Sequence, residues 1–213
     1  MEITWLGHSC FKIKGKQAIV VTDPFAPANG VSIGKATANI VTVSHDHAGH
    51  SYASGVAGNP RVLSRPGEYE IAGVLVIGLA TFHDSNKGTD RGKNTVFVLE
   101  TEELSICHLG DLGQALTDAQ IEEIGKVDIL MIPVGGVTTI NAGTAAAMVR
   151  QMDPKIVIPM HYKTSLFEAE LDPVEHFLRE FAAQPTPQAK LNVNKNNLPI
   201  GTQVIVLEAQ SGK

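Results

Sequence analysis

Three imidazoles, His45, His47 and His50, fall within six residues, directly after the apolar run at 40–43. Imidazole is a common neutral ligand for zinc and other transition ions. Ligands set this closely in a turn after a buried strand can converge on one or two of them. A purely structural role is costly, because neighbouring imidazoles repel whenever two carry protons. The stretch therefore reads as a metal site.

The same arrangement recurs along the chain. His83 and Asp84 follow the apolar segment 74–82, Asp111 follows 105–110, and His161 follows 156–160. In open sheets, ligands bind outside the carboxyl ends of strands, where loops carry function on a rigid scaffold. Four strands are thus expected to bring imidazoles and a carboxylate to one edge of the molecule.

The elements that must do this positioning can be read from periodicity and punctuation. Strand patterns run over 3–6, 10–13, 18–21, 40–43, 62–63, 69–71, 74–82 and 95–99, separated by turn signals such as Asn29-Gly30, Asn59-Pro60 and Pro66-Gly67. Beyond residue 104, strands at 105–109, 128–133 and 155–159 alternate with helices. The first helix follows Thr117, with Gln120 placed for a capping box; the Ala-rich 142–152 is the second; Asp172-Pro173 starts a third reaching about residue 183. Strands at 191–193 and 203–207 close the chain. Many strands with few helices predict two sheets packed face to face with helices outside, as one domain over residues 1–213.

Composition sets the surroundings. A net charge of -5 argues against a nucleic-acid binder, which needs a concentrated basic face. No membrane span is expected, since no apolar run reaches about 18 residues, and the N-terminus lacks a secretory pattern, so the expected setting is the cytoplasm. In that compartment Cys10 and Cys107 are read as buried thiols, not a disulfide. A homo-oligomer is compatible with the sequence.

Several segments together carry a family resemblance: Trp5-Leu6-Gly7-His8-Ser9-Cys10-Phe11, Thr22-Asp23-Pro24, the histidine turn, Gly92-Lys93-Asn94-Thr95, His108-Leu109-Gly110-Asp111, Ile132-Pro133-Val134-Gly135-Gly136 and Ile158-Pro159-Met160-His161-Tyr162. In order and spacing the chain resembles the metallo-β-lactamase superfamily, and within it small metal-dependent hydrolases similar to the L-ascorbate-6-phosphate lactonase. The resemblance implies an α/β fold, a four-layer αββα sandwich with a metal site at one edge. Its His-x-His-x-Asp-His turn falls on His45, His47, Gly49 and His50, its third histidine on His83, its bridging aspartate on Asp111 and its last histidine on His161. That implies one ion at His45, His47 and His83 and a second at His50 and His161, with Asp111 between them as the catalytic carboxylate. Such pairs, about 3.5 to 4 Å apart, activate water and polarise the substrate.

The departure is Gly49, which has no ligand atom where the resemblance calls for aspartate. The second site is therefore expected to be weak, exchangeable or absent, and another base is needed, with Asp46 and Asp84 as candidates. His8 is expected near the site, contacting substrate or anchoring a loop. Lys163 and the loop 84–94, with Lys87, Arg91 and Lys93, are expected to draw in an anionic small-molecule substrate. Asp23 and His108 are read as residues that orient ligands, and His176 as an ordinary helix residue. The expected function is hydrolysis of a small ester, lactone or phosphodiester with a divalent metal, zinc first and Mn2+ or Fe2+ as alternatives. A non-catalytic metal- or ligand-binding protein is the competing reading that Gly49 keeps in play.

Overall fold

Alternation along the first strands sorts the apolar residues into two cores. Ile3 and Trp5 of β1 (Glu2–Gly7), Phe11 and Ile13 of β2 (Cys10–Lys14), Val20 of β3 (Ile19–Thr22) and Ile40 of β4 (Ile40–Thr42) belong to the larger one. Their neighbours Leu6, Cys10, Val21 and Val41 belong to the smaller. A side-chain period of two puts these sets on opposite faces of one sheet. In the computed structural model, which describes residues 1–28, 30–166 and 170–210, this sheet has the order β12 (Leu191–Asn192), β1, β2, β3, β4, β5 (Arg61–Leu63).

The second sheet has the order β13 (Gln203–Val204), β11 (Ile156–Met160), β10 (Ile129–Pro133), β9 (Leu104–His108), β8 (Lys93–Thr101), β7 (Val74–Phe82), β6 (Gly67–Ile71). Strands β6 to β9 pair antiparallel; β9, β10, β11 and β13 pair parallel. Strands β10 and β11 are buried at every position, as parallel strands covered on both faces must be. Phe97, Leu99 and Ile106 of this sheet share the larger core with Ile3, Trp5 and Phe11 of the first, so the two sheets pack face to face.

Helices α1 (Asp118–Ile124), α2 (Ala142–Met152) and α3 (Glu175–Arg179) send Ile124, Met148 and Phe177 into that same core. The capping box expected at Thr117 and Gln120 is present, and Asn141 caps α2 by accepting from Thr144 N–H. The third helix is shorter than the pattern 172–183. Asp172 is not its cap: its N–H donates to Gly135 O and its carbonyl accepts from Lys163 N–H, while Ala182, at φ 47°, turns the chain away. Among the described residues, and in keeping with the expected α/β sandwich, irregular chain packs over the outer face of the first sheet. Phe25, Val31, Ile33, Ala36 and Ala38, with Val56 beside the turn Ala53–Gly55, cover it. Among the described residues no helix is long and apolar enough to cross a membrane.

Strand direction brings the chemistry together. β1 runs parallel to β3 and β4, and β7 runs parallel to β9, β10 and β11, so their C-terminal ends gather on common edges. The two edges meet, because His161 N–H donates to His8 O at 3.1 Å and Thr95 N–H to Ser44 O at 2.8 Å.

Candidate metal centre

A single carboxylate oxygen organises the cluster. Asp111 Oδ2 lies 3.1 Å from His50 Nε2, 3.2 Å from His161 Nε2, 3.6 Å from His83 Nε2 and 3.9 Å from His45 Nε2. The other oxygen accepts from Ser9 Oγ at 3.4 Å, which fixes the plane of the group. Four strand ends thus deliver the five residues to one place, as their sequence positions led one to expect. His47 is the most exposed of the set; its donor atom lies within 4.8 Å of those of His45 and His50, while His83 groups with His45 and Asp111. His45 belongs to both groups and links them.

The scaffold behind these residues was only partly foreseen. Asp23, fully buried after β3, accepts from Ser44 N–H at 2.7 Å and Ser44 Oγ at 2.6 Å and meets His50 Nδ1 at 3.0 Å. Ser44 Oγ in turn stands 3.0 Å from His45 Nδ1, so one carboxylate steers two imidazoles. Asn94, quoted in the motif Gly92-Lys93-Asn94-Thr95 but given no role from sequence, accepts from Asp111 N–H at 3.0 Å and donates to Thr81 Oγ1 and Leu109 O. It sets the turn that presents Asp111. Gly110 is required there twice over: its φ is 58°, and a Cβ would fall 2.5 Å from Asn94 Oδ1 and from Ser44 Cβ. His108 points to the scaffold, its Nε2 2.8 Å from Ser9 O, and so ties β9 to the β1–β2 turn.

Charge in the cluster is uneven. Burial pushes the His45 imidazole down to about 4, with His50 adding to the effect, and burial likewise lowers His83 and His8. These rings are neutral near pH 7, with a lone pair to offer. Burial also disfavours charge on His50, but Asp111 and Asp23, one at each ring nitrogen, outweigh it and raise this imidazole to about 10. Burial opposes ionisation of Asp111 too, yet His161 and His50 hold its carboxyl well below the usual range.

The residues present fit a bound cation. His45 Nε2 is buried without a hydrogen-bond partner although it faces an anionic oxygen 3.9 Å away. A buried polar atom left unsatisfied is costly and asks for an ion or a water. Three imidazoles and a carboxylate are the donor types a divalent transition ion prefers.

A cavity of about 490 Å3 opens beside the cluster, lined also by His8, Asp46, Arg91, Val137, Thr138, Glu170 and Leu171. Lys163, expected to hold the anionic end of a substrate, is exposed and is not in this lining; its backbone follows Asp172, and Arg91 is the cation that lines the cavity. Asp84 is not a replacement for the missing aspartate. Its Oδ1 accepts from Asn86 and Gly88 N–H and its Oδ2 from Asp90 and Arg91 N–H, all at 2.7 to 3.0 Å. Desolvation works against its charge, but these donors, Arg91 foremost, bring the carboxyl down to about 2. Asp84 is therefore the hub of the rim loop. Asp84→Ala is expected to make residues 86–91 cleavable by protease while metal content stays at the wild-type level; loss of a bound ion would mean that Asp84 is a ligand after all.

The family model described as "Beta-lactamase superfamily domain" matches residues 2–161. A UPF0173 metal-dependent hydrolase from Methanoculleus marisnigri is 30% identical over 84% of this chain and 88% of its own. A protein from Thermotoga maritima, described as a Zn-dependent hydrolase of the metallo-beta-lactamase superfamily, is 42% identical and superposes with a TM-score of 0.82 over 97% of this chain and 98% of its own. A metallo hydrolase from Ignicoccus hospitalis, 18% identical with a TM-score of 0.63 over 96% of this chain and 94% of its own, shares the fold. With imidazoles from three strand ends meeting Asp111 at a fourth, and with sequence and structure pointing the same way, the chain belongs to the metallo-β-lactamase superfamily.

Proposed function

We propose that this metal-dependent hydrolase cleaves a small ester, lactone or phosphodiester that carries an anionic group. The observation that carries the reading is Asp111 Oδ2, faced by four imidazole nitrogens in the wall of the cavity. A divalent ion, zinc first with Mn2+ or Fe2+ as alternatives, would bring the pKa of a water to about 7 and polarise the substrate oxygen. His45, His47 and His83 with Asp111 would hold one such ion. His50 and His161, with the same carboxylate, form a second set that lacks a side-chain donor at Gly49.

The rest of the chemistry falls to this chain's own groups. Asp111 is the catalytic carboxylate, its charge fixed by Ser9 and by the imidazoles around it. Asp46 is exposed in the cavity lining, where Ser51 Oγ donates to it at 3.2 Å, and it is placed to carry a proton to solvent. A cavity of about 490 Å3 suits a small molecule. Arg91 selects for a phosphate or carboxylate by a charge-assisted hydrogen bond.

Two measurements test this. Chelator-treated protein, reloaded with zinc or manganese, should hydrolyse at least one class in a panel of nitrophenyl esters, lactones and phosphodiesters; a loaded protein inert toward all of them supports the non-catalytic binding role instead. Arg91→Ala should raise KM for an anionic substrate about tenfold or more, the scale of a lost hydrogen bond to a charged group, and leave a neutral ester unaffected. Equal effects on both would remove Arg91 from substrate recognition.

A further inference from the structure

Glycine at position 49 has a local physical reason. Gly49 is not at a positive φ, so its backbone does not demand glycine. A side chain there would meet two rings: an ideal Cβ on residue 49 would lie 3.2 Å from His8 Nε2, 3.3 Å from His8 Cδ2 and 3.3 Å from His47 Nδ1. The imidazole from the β1–β2 turn occupies the space into which a longer residue 49 would reach.

His8 is also held in place with some force. It sits at φ 55°, a region that non-glycine residues seldom adopt and that costs about 1 to 3 kcal/mol unless the surroundings impose it. Its carbonyl accepts from both Trp5 Nε1–H at 3.0 Å and His161 N–H at 3.1 Å, so β1 and the end of β11 clamp the turn. The ring that results lies 4.7 Å from that of His50 and 4.2 Å from that of His161, centroid to centroid. One donor atom from each of His8, His50 and His161 lies within 4.8 Å of the others.

We propose that His8 supplies the donor that Gly49 cannot, so that His8, His50 and His161 together with Asp111 hold the second divalent ion. The inference rests on the metal-dependent reading above and changes the expectation for Gly49. The second site is rebuilt with an imidazole from a distant turn, and His8 becomes a ligand instead of a substrate contact. Its chemistry shifts as well. Three imidazoles, with His50 giving up its proton on binding, and one shared carboxylate favour borderline ions such as zinc and cobalt over manganese and magnesium, which prefer oxygen donors.

The test uses chelator-treated full-length protein titrated with zinc alone and with cobalt(II) alone, followed by calorimetry and by the visible spectrum of bound cobalt. His8→Asn and His8→Gly are the variants, because both residues tolerate a positive φ and preserve the turn; melting curves confirm that they fold. Wild type should take up two equivalents. In both variants the second equivalent should weaken by about tenfold to a hundredfold or more, with the first unchanged and the cobalt spectrum of the second lost. Gly49→Asp should restore the second equivalent in the His8→Gly background and add little to the wild-type chain, where the ring is in the way.

A second equivalent that binds equally well without His8 overturns the inference, as does a wild-type chain that takes up only one ion. A chain that holds no ion at all overturns the metal-dependent reading as well, which separates the two failures.

Discussion

Asp111→Asn is expected to lower hydrolysis on the order of a thousandfold and to remove at least one bound ion. The substitution keeps the size and shape of the side chain and takes away one negative charge. Among the described residues that charge is the one anion that four imidazole nitrogens share, at 3.1 to 3.9 Å. Without it a divalent ion is ringed by neutral donors in a buried site, and the several kcal/mol of charge stabilisation that such an ion lends to a reaction is lost, at about 1.4 kcal/mol per tenfold. A variant that keeps its full metal complement and stays within tenfold of wild-type kcat/KM would contradict the placing of Asp111.

The same variant, freed of metal, should report on His50. This imidazole is raised from 6.5 to about 10 in the folded protein, with Asp111 and Asp23 overcoming the burial that disfavours its charge. A group whose folded pKa lies above its unfolded one stabilises fully below the unfolded value, and that contribution is lost as pH rises through the folded value. Asp111→Asn removes half of the counter-charge, so its deficit in thermal stability should be largest below about pH 6.5 and should close as pH rises toward 10. Breaking a buried pair costs about 3 to 5 kcal/mol when the remaining charge cannot neutralise. Here it can, so the deficit should fall below that range. A deficit that does not change with pH would mean that His50 is already neutral.

What could be read in the sequence was what obeys a local rule. Candidate ligating side chains follow buried strands because a rigid apolar run is what can aim them, and this marked His45, His83, Asp111 and His161 before any contact was known. Capping chemistry marked α1 in the same way. Roles that depend on a distant partner were not legible. Ser9 meets Asp111 across 102 positions and Asn94 meets it across 17, and neither residue type announces such a duty. Lys163 and Arg91 carry the same charge, and only the turn at Asp172 and the loop gathered on Asp84 put the second one, and not the first, at the cavity. Gly49 was recognised as a departure, but one of the two rings a side chain there would meet lies 41 positions away. The outer layer on the first sheet shows the same limit: residues 23–28 and 30–39 have no periodicity, and Phe25, Val31 and Ile33 share one buried cluster with Val21 and Val41 of β3 and β4.

Asp23→Ala should cost stability and metal together, and the conservative Asp23→Asn should separate them. Asp23 is fully buried and engages the backbone and hydroxyl of Ser44 and the Nδ1 of His50. Truncation leaves a backbone donor and a ring nitrogen buried without partners, for about 3 to 5 kcal/mol. In a chain of this size that lowers Tm by roughly 10 °C. His50 and, through Ser44 Oγ, His45 also lose the contacts that set their ring orientation, and removing such a support typically weakens metal binding about tenfold to a hundredfold. Asparagine accepts the Ser44 N–H as aspartate does and tolerates the φ of 39° at this position. It cannot supply the negative charge that His50 meets. Asp23→Asn should therefore recover most of the lost Tm while metal affinity stays about tenfold low. If the asparagine variant recovers both in parallel, Asp23 acts only as a packing and hydrogen-bonding residue, and the tuning of His50 must come from Asp111 alone.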